Sequence, residues 1–83
     1  MNSASQRQKA FSKENSKVRV IAVYRMLSEG SILSCAAISR RLYAQYGMVV
    51  GRQTIIDDVR AVNRFMPIEV ISGGKGGYRK MEG

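Results

Sequence analysis

Apolar positions along this 83-residue chain change their spacing twice, and the changes mark its elements. Beyond a polar opening, Val20, Val23, Tyr24 and Leu27 fall at i, i+3, i+4 and i+7, the stripe of a helix with one buried face. Ser16 suits an N-cap for that helix, which is expected to run to about Glu29 and stop at Gly30. Arg19 and Arg25 lie off the stripe. Ser34 is placed to cap a second helix reaching Tyr46, with Ile38 and Leu42 inward, Cys35 and Tyr46 assisting, and Gly47 as the stop. A third helix is expected from around Gly51 to Phe65 or Met66, because Ile55, Val59, Val62 and Met66 are spaced by four, three and four. Pro67 halts it, since the residue ahead of a proline avoids helical geometry. The period then shortens. "PIEVIS" alternates as a strand with Ile68 and Val70 on one face, "GGKGG" turns, and "YRKM" returns, which together spell a β-hairpin.

The predicted class is therefore α+β: three helices followed by a two-stranded hairpin, the element order of a winged helix-turn-helix. Residues 16–83 form one domain in this reading. Residues 1–15 form a flexible basic tail, with Arg7, Lys9 and Lys13 around Glu14. Its plain role is a solvated end. Its sharper one is an arm on phosphates or in a minor groove.

Charge narrows the partner. Fourteen Lys and Arg against six Asp and Glu give +8, a field that attracts polyanions. Nucleic acid fits best; an anionic membrane surface is disfavoured because no helix sets a basic face against a bulky apolar one. No apolar run approaches the roughly 20 residues of a membrane span, and the N-terminus lacks the core of a secretory signal, so a cytoplasmic address is the default. The chain has one cysteine, Cys35, and no histidine. An intrachain disulfide and Ser–His or Cys–His nucleophile pairs are excluded, a zinc site is improbable, and neither cofactor nor enzymatic activity is expected. Cys35 reads as a small buried filler.

"VVGRQTIIDDVRAV" followed by "IEVISGGKGGYRK" resembles the winged helix-turn-helix of the deoxyribose-operon-repressor type, and above all the type 11 heads of WYL-type transcriptional regulators. The resemblance covers about residues 18–81. It is carried by Val50, Gly51, Arg52, Gln53, Thr54, Ile55 and Asp58, and by Gly76, Gly77, Tyr78 and Arg79. It implies double-stranded DNA as the partner and a transcriptional regulator as the function, with recognition helix 51–66 and wing 68–81. The chain departs from the family in having Gly51 where Ser or Thr is usual, Ile56 and Asp57 on the recognition helix, and no effector-binding domain.

Helix-turn-helix proteins aim the start of their recognition helix at base edges. Arg52 can clasp guanine and Gln53 can pair with adenine, while Thr54 is short enough to reach a phosphate. Arg60 and Arg64, four residues apart, can track the backbone. Lys75 at a glycine-flanked tip can reach a phosphate or the minor groove, with Arg79 and Lys80 extending its charge. Ile56, Arg40 and Arg41 complete the candidate set. Asp58 reads instead as a structural partner for Arg19 or Arg79. The plain alternative at each cation is a solvated side chain. Lys75 does not belong to a P-loop, because no G-K-[ST] follows and a strand comes next. Six to eight phosphate contacts would give a log–log salt slope of about −5 to −7. This reading requires Lys75 and Arg52 on one side of the molecule. A homodimer is a further option, with Tyr24 and Met26 as its face. The rival function is a winged-helix protein–protein interaction module, which Ile56, Asp57 and Asp58 would suit. RNA binding is disfavoured because Tyr43 is the one obvious exposed aromatic for stacking.

Overall fold

No glycine or proline interrupts the sequence between Ser3 and Glu29, and Ala, Gln, Arg, Lys and Glu there are good helix formers. In the computed structural model, which describes residues 3–82 and the side chains of residues 15–82, that stretch is one helix, α1 (Ser3–Ser28). The start differs from the expected one: Ser16 lies inside α1 rather than at its cap. The proposed contacts of Arg7, Lys9 and Lys13 lie outside the described side chains. No helix among the described residues is long and apolar enough to cross a membrane.

The second helix, α2 (Cys35–Tyr46), follows its sequence signals closely. Ser34 accepts the Ala37 amide at 3.1 Å, and Gly47 adopts φ 68° to return its amide to the last turn. A serine cap of this kind is worth about 1 kcal/mol. The third, α3 (Arg52–Asn63), ends earlier than the Phe65 or Met66 expected. The chain tightens into a turn in which Phe65 and Met66 both donate to the Val62 carbonyl at 2.9 Å. Asn63 then accepts the Ile68 amide at 2.7 Å and sets where the first strand begins. Strands β1 (Ile68–Ile71) and β2 (Gly77–Lys80) pair antiparallel, with Glu69 opposite Arg79 and Val70 opposite Tyr78.

Ala22, Val23, Met26, Leu27, Leu33, Ile38, Leu42, Ile55, Val59 and Val62 form one core at the junction of the three helices. The buried face of α1 is rotated from the predicted stripe. Ala22 and Met26 face inward, while Tyr24 is 41% exposed. Met26 is thus a core residue and cannot serve as half of a dimer face. The rotation also swings Arg19 toward α3, where its guanidinium grips buried Asp58 through both carboxylate oxygens, Nη2 to Oδ1 at 3.2 Å. Tyr46, given an inward role above, is exposed, and Val70 stands 71% exposed although Ile68 on the same strand packs against the core.

The loop between α1 and α2 contributes a contact that periodicity does not announce. Leu33 and Tyr78 exchange backbone hydrogen bonds at 2.9 and 2.8 Å, so β2 is flanked on both edges. Gly77 makes this approach feasible, because a Cβ there would lie 2.5 Å from the Leu33 carbonyl carbon and oxygen. Gly77→Ala is therefore expected to force the hairpin off the α1–α2 loop at a cost of about 1–3 kcal/mol. Chemical denaturation measures that loss, and hydrogen exchange at the Leu33 and Tyr78 amides locates it.

Candidate nucleic-acid interface

Ile55 is the residue that fixes what α3 shows to solvent. It is 1% exposed, and its amide bonds back to the Gly51 carbonyl at 3.2 Å. With Ile55 inward, Arg52 and Gln53 are left exposed on the first turn, Thr54 is half-buried and Ile56 turns toward the hairpin. Gly51 holds the extended cap geometry (φ −77°, ψ 161°) without a side-chain bond.

The hairpin tip is a turn closed by the Gly76 amide on the Gly73 carbonyl at 3.0 Å, which puts exposed Lys75 at its apex. A Cβ on Gly76 would sit 2.1 Å from the Ile71 carbonyl oxygen, so the strand after the tip can fold back this closely only with glycine there. Val70, Ile71, Gly77 and Tyr78, on the two strands leading to and from that tip, line a cleft of about 550 Å³ together with Arg52. A second cleft of about 260 Å³ lies further along the same helix, bounded by Ile56, Arg60, Asn63, Ile68, Val70 and Tyr78. Tyr78 borders both. Sequence reasoning gave Tyr78 no role beyond the family resemblance, although a tyrosine behind two sterically required glycines was a usable signal.

Tyr78 also reports the local electrostatics. Burial raises its phenol above the ordinary value of 10.0, and the neighbouring Cys35 side chain, with Sγ 3.8 Å from its hydroxyl, raises it further. The guanidiniums of Arg52 and Arg60 pull the other way, so both lie within electrostatic reach of this ring. A raised folded-state value means that the folded protein holds the proton more tightly than the unfolded chain. The associated stability is complete below about pH 10 and is lost as pH climbs through the folded-state value. Unfolding free energy should therefore fall more steeply above about pH 10 in the parent than in Tyr78→Phe, as denaturant titrations at stepped alkaline pH would register.

The remaining candidates divide by what they touch. Arg60 is well exposed and only loosely associated with Asp57, at 3.9 Å, while Gln53 donates to Asp57 at 3.1 Å. Asp57 thus orients one polar group on the outer face of α3 and offsets part of the charge there. Arg64 is exposed just past the last turn of α3, and Arg40 is exposed on α2. Three cations are drawn elsewhere. Arg41 pairs with Glu29 at 3.1 Å, Arg79 chelates Glu69 across the hairpin at 2.9 and 2.7 Å, and Lys80 runs beside Gly30 at the end of α1. The structure thus brings Arg52, Ile56 and Arg60 together around Tyr78 and leaves Arg41, Arg79 and Lys80 with structural neighbours. No family model, curated protein or solved structure matches the chain.

Proposed function

We propose that this protein is a small winged helix-turn-helix transcriptional regulator that binds double-stranded DNA sequence-specifically. In this reading α3 enters the major groove and the hairpin acts as the wing on the adjacent backbone or minor groove. The observation that carries it is the shared cleft: exposed Arg52 on the first turn of α3 lines one concavity with the strands that present Lys75. Arg52 and Gln53 meet base edges, Thr54 and Arg64 meet phosphates, and Lys75 anchors the far side of the groove. Net charge of +8 supplies the attraction that precedes recognition.

Selection of bound duplexes from a random pool tests this directly, followed by titration of the winning site with Arg52→Ala. The variant should lose about 1–3 kcal/mol, roughly 5- to 150-fold in Kd, and lose preference at one base pair. Recovery of no preferred sequence, or an Arg52→Ala variant that selects like the parent, would defeat the proposal.

A protein-docking role is the second reading, and it has its own support. Phe65 is 85% and Val49 89% exposed at opposite ends of α3, and Asp57 sits on the outer face of that helix. Duplex titration at moderate salt separates the two functions. The docking reading predicts no binding there, and predicts capture of a partner that Phe65→Ser abolishes.

A further inference from the structure

The larger of the two clefts beside Tyr78 differs in chemistry from a plain phosphate-tracking groove. Its volume of about 550 Å³ falls within the roughly 300–1,000 Å³ of small-molecule sites. Val50, Ile55, Val70 and Ile71 provide apolar walls, and Arg52 is its one charged lining residue. No described carboxylate pairs with Arg52, whereas the guanidiniums of Arg19, Arg41 and Arg79 are engaged with acidic side chains. Val70, 71% exposed, presents apolar surface to water at the margin of the cleft. A single fork of N–H donors at an apolar concavity matches a planar carboxylate joined to a hydrocarbon body. It does not match a polyphosphate, which would need further cations; Arg60 lines the other cleft.

We propose that this cleft binds a small carboxylate with an apolar tail. The carboxylate sits on the Arg52 guanidinium, and the tail covers Val50, Val70 and Ile71. Resting on the DNA-binding reading, the consequence is regulation: Arg52 held by a carboxylate cannot read a base, so ligand and duplex exclude one another. The coupling is reciprocal, and duplex must weaken the ligand to the same degree.

Cys35 provides the readout. It is the chain's single cysteine, half-buried, and lines the cleft, so its alkylation by iodoacetamide follows occupancy. Octanoate, octanol and acetate are compared at matched ionic strength, below the micelle concentration of octanoate. Octanoate should slow alkylation several-fold, and octanol and acetate much less. Arg52→Ala should erase the advantage of octanoate over octanol. Val70→Ser, at an exposed position that leaves the core intact, should weaken octanoate without affecting acetate. Equal protection by octanol, protection undiminished in Arg52→Ala, or no protection at all would overturn the inference. Added to a bound duplex, octanoate should displace it and acetate should not; a duplex that holds through saturating octanoate overturns the regulatory consequence. The two proposals fail separately. Octanoate protection without duplex binding removes the DNA reading and keeps the ligand site, while tight duplex binding with unprotected Cys35 does the reverse.

Discussion

Asp58→Ala is expected to destabilise the domain by about 3–5 kcal/mol, a large share of the 5–15 kcal/mol typical of a whole domain. The carboxylate is only 7% exposed and lies on the apolar edge of α3 with Ile55, Val59 and Val62. Arg19, 18% exposed, meets both of its oxygens from α1. Removing one member of such a pair leaves a charge that is neither solvated nor matched, and that penalty exceeds the net worth of the pair itself. The double replacement Arg19→Met with Asp58→Leu should therefore recover most of the loss, because an apolar contact of similar volume restores packing without a stranded charge. Urea titration of the parent, the single variant and the double variant decides the point. A single variant within about 1 kcal/mol of the parent would mean that water reaches Arg19 freely and the pair is a surface contact.

That ion pair was half legible in the sequence, and the half shows where pattern reasoning stops. Asp58 interrupts the run of apolar positions on one face of α3, and a buried carboxylate must have a partner, so a cation was required. Arg19 was a named candidate, yet the predicted stripe of α1 put it outside the core. A helix with Val20, Tyr24, Ala22 and Met26 all able to face inward has no unique rotation, and packing against α3 chose the one that buries Ala22 and Met26. The third helix ends at Asn63, short of the stop expected at Pro67, but caps and stops were read well at Ser34 and Gly47 because each acts through local backbone chemistry. The start of α1 was not, because a serine favours a cap only where the preceding residues decline to be helical. The Leu33–Tyr78 bridge pairs residues 45 apart with no repeating pattern on either side, so nothing periodic signals it. Among the candidate contacts, local sequence placed Arg52 and Gln53 on the exposed turn and Lys75 on the tip. It could not show that Glu69 faces Arg79, since that depends on strand register, nor that Lys80 lies beside Gly30.

These placements change the expected salt dependence of DNA binding, the second large effect. Six to eight free cations were anticipated, but Arg41 and Arg79 hold carboxylates and Lys80 lies at the end of α1. Arg40, Arg52, Arg64 and Lys75 have no carboxylate partner among the described residues, and Arg60 has only a loose one. With Arg52 on a base edge, about four phosphate contacts give a log–log slope of roughly −3 to −4, so affinity should fall about 60- to 250-fold between about 50 and 200 mM salt. Lys75→Ala should flatten the slope by about one unit on every sequence alike, the mark of a phosphate contact. Removing Arg79 and Glu69 together should leave it nearly unchanged, because that pair neutralises itself before DNA arrives. Fluorescence anisotropy on one duplex across a salt series supplies all three slopes. A parent slope shallower than about −2 would mean that too few cations reach the backbone for a helix and a wing to share one groove. Loss of a full unit in the Arg79–Glu69 double variant would instead show that duplex pulls the arginine off its carboxylate, making the hairpin face a contact surface along its whole length.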